Sequence, residues 1–490
     1  MKTSEKNANV IFNLSKKDNF SEWYTEIIKK AELGDIRYNV KGFVVFQPWS
    51  VLSMEKMYKC LEKVLQRKGH KPYFFPTLIP EKNFNLESSH IKGFKPEVFW
   101  VNSHGNDDPL EEKLALRPTS ETAFYQMFSL WIRSYNDLPF KTYQRANVFR
   151  YESKATRPFF RSREFHWIEA HCAHATEQDA MNQVTEDMET TQEVLHDIYG
   201  LPFVFFERPA WDKFPGAQRT FAADVLNPDG RVVQQPSTHL LKQDFSKAFN
   251  VKFNDKDGIE KYVWITCYGP AVSRIFASVI SVHGDDKGLR FPWRIAPLQV
   301  IIIPIRNEPD IIKEAEKIKQ ELECINVSAE IDMSEKRTGE KFYFWEMKGV
   351  PLRIELGKKE IEGKKLMLFR RDTNKKETIS MRGLVSSIDG MSKEIDKNLM
   401  KQADSLFKDN IVDARNKDEL KKAIGSAKIA RCGFCSIEKD GEKCAEFVEK
   451  DVMASVRGTK LEKEKPSGKT EKCVVCGNAA KAVVYIARSY

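Results

Sequence analysis

The 490-residue chain is 41% apolar and 30% charged, the balance of a folded globular protein and not of a disordered one, and its length calls for two to four domains. Its 79 Lys and Arg against 70 Asp and Glu leave a formal charge of +9, a mild positive field that suits an anionic partner such as a nucleic acid. The start, MKTSEKNANVIFN, lacks the apolar centre of a secretory leader, the run VIIIPI at 300–305 is too short to span a bilayer, and nine cysteines in a leaderless chain do not describe a disulfide scaffold. A cytoplasmic protein with no membrane anchor is expected.

In chain order, residues 20–33 repeat Trp23, Ile27 and Ala31 at helical spacing and stop at Gly34. An apolar strand over 42–46 leads to Pro48, whose missing N–H costs little at a helix mouth. In the helix that follows, Leu52, Leu61, Val64 and Leu65 recur until Gly69, and a strand over 73–75 comes next. EEKLALRPTSETAFYQMFSLWI (111–132) passes from extended chain into an apolar helix near Ser120. Thr119 or Ser120 can cap that helix, with Glu121 in its first turn. A buried carboxylate there can also meet a secondary ammonium through charge-assisted hydrogen bonds.

The densest chemistry lies in YQRANVFRYESKATRPFFRSREFHWIEAHCAHAT, residues 143–176. Two strands, 143–151 and about 163–171, bring five arginines (145, 150, 157, 161 and 163), the acids Glu152 and Glu164, and many aromatic rings. Arginine's planar fork grips phosphate oxygens and stacks on flat rings, so the hairpin suits a polyphosphate. Glu152 would accept from an exocyclic amine or orient an arginine. The plain structural alternative is a charged hairpin with a solvated face.

A polar helix over 177–199 stops at Gly200; a strand over 203–207 and a turn at 227–230 follow. A later strand ends at Tyr268, turns through Gly269-Pro270 and enters a helix near Val272. Arg274 falls in its first turn, where the helix N-terminus adds positive potential toward a phosphate. From Leu298, strands over 299–305, 327–332, 351–357 and 365–372 alternate with helices over 310–324 and 342–348, implying a mixed, largely parallel sheet. Past a lysine-rich helix, Cys432, Cys435, Cys444, Cys473 and Cys476 lie within 45 residues, a strong zinc signal in a reducing compartment. Only four thiolates fit a closed tetrahedral site, and spacing alone pairs Cys432 with Cys435. Cys60, Cys172, Cys267 and Cys324 sit in apolar patterns that read as packing.

FRYE (149–152), TRPFFRSREFHWIEAHCAHAT (156–176) and LRPTSETAF (116–124) resemble motif 2 and the proline-binding loop of class II aminoacyl-tRNA synthetases of the archaeal/eukaryotic prolyl family. HGDDKGL and its flanks resemble motif 3, and Pro48 with its helix resembles motif 1, a dimer seam. The resemblance spans nearly the whole chain and implies an α+β protein in three parts. An antiparallel-sheet catalytic domain would cover 1–297, an α/β anticodon-binding domain 298–395, and a small α+β zinc-binding domain 396–490. It implies ATP-dependent attachment of L-proline to tRNA(Pro) in two steps through prolyl-adenylate, with Mg2+ on the phosphates and a homodimeric assembly. The interval from 176 to 262 is too short for an editing insertion.

By resemblance, Thr119, Glu121, Arg150, Trp167 and His239 shape the proline pocket, and Arg150 also bridges to the α-phosphate. Arg161 and Arg274 hold the outer phosphates, Glu152 faces the adenine with Phe165 stacked on it, and Gln234 and Ser237 complete the ATP side. Glu346, Lys348 and Arg353 would read anticodon bases. The family places a zinc ligand just before an AEFVEK-like helix, which selects Cys435, Cys444, Cys473 and Cys476, with Cys432 as substitute for Cys435. The carboxylate of Tyr490 would return toward the active site. PSTHLLK (236–242) and CYGPAVSR (267–274) depart from the family pattern. They leave two competing readings, a synthetase for another small amino acid and a non-catalytic RNA-binding paralogue.

Overall fold

In the computed structural model, which describes residues 12–84, 97–153 and 155–490, helix α1 (Phe20–Lys30) opens on Asn19, whose side chain accepts from the Glu22 amide at 3.2 Å. Residues 1–11, read above for a leader, lie outside the described residues. Helix α2 (Pro48–Arg67) starts on Pro48 and buries Met54, Met57, Leu61, Val64 and Leu65. Leu52, expected on that face, is exposed. The core unit continues with β1 (Lys71–Tyr73), α3 (Glu121–Trp131) and the hairpin β2 (Phe140–Phe149) and β3 (Glu164–His174). It ends with α4 (Glu177–Thr191), β4 (Val204–Glu207), β5 (Arg219–Leu226), β6 (Arg231–Leu240), β7 (Trp264–Gly269) and α5 (Val272–His283). The helix expected over 177–199 divides into α4 and a π-helical turn over Gln192–Ile198.

The second unit holds β8 (Val300–Pro304), α6 (Pro309–Cys324), β9 (Ala329–Ile331), α7 (Thr338–Lys348), β10 (Leu352–Leu356), β11 (Lys365–Arg370), β12 (Lys375–Ser380) and α8 (Leu384–Asp409). Its sheet order is β9-β8-β10-β11-β12. Only the two pairings of β8 are parallel; β10–β11 and β11–β12 are antiparallel, so the largely parallel sheet expected from the alternation is corrected to a half-parallel one. The difference is β12, an edge strand whose polar sequence KKETIS carries no apolar alternation to announce it. Helix α8 runs unbroken through residue 395.

The last unit adds β13 (Ile411–Asp413), β14 (Ile429–Phe434), α9 (Glu442–Asp451), β15 (Ser455–Lys460) and β16 (Ala482–Ser489). Its strands join those of the core in one sheet of eleven among the described residues, ordered β13-β14-β16-β15-β4-β5-β6-β7-β3-β2-β1. β16 also pairs parallel to β6, Arg231 with Arg488 and Val232 with Ser489. On one face of the core, α5 packs Ile275, Phe276, Val279 and Ile280 against α1, α2 and the hairpin. The hairpin itself runs in full register from Phe140–Ala173 to Phe149–Glu164, and β3 is buried along nearly its whole length. It therefore lacks the solvated face of a surface ribbon.

Candidate active site

The N-terminus of α3, the hairpin β2–β3, the strands β6 and β7, and the first turn of α5 enclose a cavity of about 430 Å3. Thr119, Glu121, Arg150, Phe165, Trp167, Gln234, Ser237, His239 and Arg274 all line it. Arg161 and Glu152 pair with each other at 2.6 Å beside it, near enough that their charges act on Arg150 and Arg274.

One end of the cavity is acidic and dry. Ser120 occupies the N-cap position of α3 but makes no capping bond through its side chain, and Glu121 turns inward, buried. Thr119 donates to Glu169 at 2.6 Å and lies against Glu121; the Ser120 amide donates to Glu169 at 2.9 Å and Gln144 does so at 3.3 Å. His171 stands 3.3 Å from Glu169 and meets the Tyr125 hydroxyl at 2.8 Å. Burial alone would raise the Glu169 carboxyl, but His171, Thr119 and Ser120 hold it down at about 2. Burial and the charge of Glu169 push Glu121 the other way, upward. Glu169 is thus held ionised while Glu121 beside it holds its proton more tightly, and this buried acidic end offers the acceptors that a small ammonium needs.

Trp167 forms the next wall. Its indole lies so close to Gly269 that a Cβ there would stand 2.5 Å from Cζ2, which is why the chain turns on a glycine. The indole Nε1 is buried without a hydrogen-bond partner among the described residues. His239 meets Thr220 through Nδ1 at 3.0 Å and Ser237 through Nε2 at 3.0 Å, beside the ring of Phe214. Burial, aided by Arg208, lowers it to about 3, so the imidazole is neutral.

The opposite end is cationic. Arg150 donates from Nε to the Pro118 carbonyl at 3.0 Å and lies over the rings of Phe165 (5.3 Å) and Trp167 (5.5 Å). Arg274 donates to the carbonyls of Phe160 at 3.1 Å and Gln234 at 3.3 Å. Removal from water, with Arg150 nearby, brings Arg274 down to about 10, and burial likewise lowers Arg150. Both remain cations at neutral pH, held by carbonyls and in no direct ion pair among the described residues, which suits an anionic ligand.

Sequence reasoning missed Glu169, His171, Gln144 and Arg208 as parts of this site. The available signal was an acid inside the apolar run of β3 and an arginine directly after β4, charges that need a partner or a ligand when buried.

Four of the five clustered cysteines converge: the sulfurs of Cys435, Cys444, Cys473 and Cys476 all lie within 4.8 Å of one another, with Cys435 and Cys444 at 3.6 Å. Cys432 is fully buried in the apolar core of the last unit, its thiol toward the Val484 carbonyl at 3.9 Å. Cys432 lies within β14, facing the core, and Cys435 just past the strand's end at Phe434, so the spacing-based pair is not assembled. Four thiols at this separation fit one tetrahedral Zn2+.

Of the residues expected to read bases, Lys348 is buried and donates to the Ala31 carbonyl at 2.8 Å and to Glu32 at 2.5 Å. Arg353 is buried between Glu346 (2.8 Å) and Glu355 (3.0 Å) and lies over the rings of Phe342 and Phe369. Their donors, and the carboxylate of Glu346, are engaged within the protein. The Tyr490 ring stacks on Phe160 at 5.0 Å; its hydroxyl accepts from Arg157 at 2.9 Å and donates to Asp229 at 2.7 Å.

An antiparallel sheet that presents a motif 2 hairpin with Arg150 and a strand–helix with Arg274 to one cavity defines a class II aminoacyl-tRNA synthetase core. The family model for the class II core domain of the G, H, P, S and T synthetases matches residues 99–283, the anticodon binding domain matches 299–391, and the prolyl-tRNA synthetase C-terminal model matches 417–490. The proline–tRNA ligase of Thermofilum pendens is 46% identical, over 97% of this chain and 98% of that protein. The Pyrococcus abyssi enzyme of that name is 42% identical, over 96% and 98%. Among solved structures, Giardia lamblia prolyl-tRNA synthetase in complex with prolyl-adenylate superposes with a TM-score of 0.93 at 36% identity, covering 98% of this chain and all of that one. The Cryptosporidium parvum enzyme complexed with halofuginone and AMPPNP gives 0.91 at 31%, with the same coverage. The chain belongs to the prolyl-tRNA synthetase family.

Proposed function

We propose that the protein attaches L-proline to tRNA(Pro) in two steps, through prolyl-adenylate. The observation that carries this is one cavity lined by both a buried pair of carboxyl groups and two guanidinium groups that form no direct ion pair among the described residues. The secondary ammonium of proline sits against Glu121 and Thr119, with Glu169 fixing Thr119, and its ring lies along Trp167 and His239. Its carboxylate then faces Arg150, which also receives the α-phosphate of ATP. The carboxylate oxygen attacks that phosphorus and pyrophosphate leaves; Arg150, Arg161 and Arg274 stabilise the charge that builds up. No side chain acts as nucleophile, and the rate comes from alignment and charge. Glu152, Phe165, Gln234 and Ser237 take the nucleoside side. Mg2+ enters with the ATP phosphates. In the second step a hydroxyl of the terminal ribose of tRNA displaces AMP.

The unit boundaries proposed are 1–297, 298–395 and 396–490, with tRNA held by the second unit and one structural Zn2+ on Cys435, Cys444, Cys473 and Cys476. Residues 177–263 are taken up by strands and helices of the core and by one small hairpin, 252–254 with 260–262, so the reading includes no editing site. A homodimer is proposed across the motif 1 face, where Ile36, Tyr38, Val40, Val45, Leu52 and Phe74 are exposed large apolar residues. No helix among the described residues is long and apolar enough to cross a membrane, and we place the protein in the cytoplasm.

The deciding experiment is amino-acid-dependent ATP–pyrophosphate exchange with all twenty amino acids in parallel. Exchange with proline, alone or with a weak cysteine signal from a site that cannot edit, is expected. Exchange with a different amino acid alone, or with none, overturns the reading.

A further inference from the structure

The wall of the cavity behind Gln234 is built by residues from two units of the chain. Asp224, on strand β5, is completely buried and lies opposite Gln234 in the register of β5 and β6. Two arginines grip it. Arg457, on β15, donates to its two oxygens at 2.7 Å and 3.0 Å, and Arg208 does so at 2.8 Å and 3.2 Å. Arg208 also donates to the Arg457 carbonyl at 2.7 Å and, with the same nitrogen that meets Asp224, to the Gln234 side-chain oxygen at 3.2 Å. Its Nε has no hydrogen-bond partner among the described residues, and Asp212 stands 3.9 Å from it. Both Arg208 and Gln234 line the cavity. β15 can come this close because Gly458 has no side chain: a Cβ there would stand 2.0 Å from the Glu207 carbonyl on β4.

We propose that Arg457 is a positioning residue for the nucleotide end of the active site, acting through Asp224 on Arg208 and through Arg208 on Gln234. Asp224 is shared by two guanidinium groups, and the half-exposed Asp212, 3.9 Å from Arg208, offsets the second positive charge only in part. Without Arg457 the negative charge of Asp224 falls wholly to Arg208, which is drawn away from Gln234 and neutralised. The last unit of the chain thereby sets the potential and the geometry of a site whose other residues all come from the core. This rests on the proposed function only in taking Gln234 to face the nucleotide.

The test is equilibrium binding of AMPPNP and, separately, of proline to the full-length protein. Arg457→Met is expected to weaken AMPPNP at least tenfold and to leave proline within twofold. Arg457→Lys restores the charge without the fork, and it is expected to weaken AMPPNP about threefold. Combined with Gln234→Ala, Arg457→Met should cost less than the product of the two single effects, which a loss of folded protein alone would not produce. AMPPNP binding by Arg457→Met within twofold of the parent overturns the proposal. If that variant does not fold, unchanged binding by Arg457→Lys does the same. Failure of proline exchange in the parent defeats the functional reading and leaves this comparison intact; failure of the parent to bind AMPPNP defeats both.

Discussion

Trp167 and Gly269 share one wall at van der Waals limit, and the substitution that adds least there is expected to cost most. Gly269→Ala places a methyl group where the indole stands. The ring is pressed into the proline pocket, and the KM for proline is expected to rise about tenfold or more, in line with the cost of sub-ångström misplacement of a positioning group. A melting curve close to the parent's should accompany it, since the displaced ring has the cavity to move into. Much of this site was legible from the sequence because its residues announce a charge or a ring at a motif position, as Arg150, Arg274 and Trp167 do. Glu169 and Arg208 were not, because their roles follow from which strands become neighbours, and spacing along one strand does not contain that.

Helix α4 packs on β6 through a buried acid. Asp187 accepts from Thr238 at 2.7 Å and Gln183 at 2.8 Å, and burial raises it from its ordinary 3.8 to about 7. The folded state therefore binds this proton more tightly than the unfolded chain. Its stabilising contribution is complete below about pH 3.8, declines as pH rises, and is gone above about pH 7. Asp187→Asn keeps both hydrogen bonds, with the Thr238 hydroxyl turned to accept, and removes the charge. It is expected to be more stable than the parent at pH 8 by roughly 4 kcal/mol, from a three-unit shift at about 1.4 kcal/mol each, with the gain fading as pH falls from about 7 toward about 4. Melting temperatures of both proteins across that range check the sign. Elements with strong periodicity, such as α2, α6 and the hairpin, were readable within a few residues. β12 escaped because an exposed edge strand has no apolar face to display. Lys348 and Arg353 read as base-reading donors from the resemblance and from their place beside GVPLRIELG, which does not show what packs on them. Packing of α7 against the core unit turned Lys348 toward Glu32 instead.

Across the whole molecule, the four-cysteine cluster sits beside β14 and β16, strands of the same sheet that carries the active-site hairpin. Cys473→Ser removes a buried thiol from the cluster and is expected to abolish stoichiometric zinc, read by metal analysis. It should also lower the melting temperature and the yield of active sites, because β15 and β16 are paired into β4 and β6. Loss of zinc with an unchanged transition would mean that the cluster is independent of the core.

That pairing also orders events during synthesis. The strands β4, β5 and β6 leave the ribosome long before β15 and β16, and until those later strands arrive β4 has an open edge. A nascent chain that stalls in between presents an unfinished sheet to its surroundings and lacks Arg457 behind its nucleotide wall. Translation itself then acts as a checkpoint: a ligase that feeds the ribosome with charged tRNA would come into operation only once its distal strands had been read through.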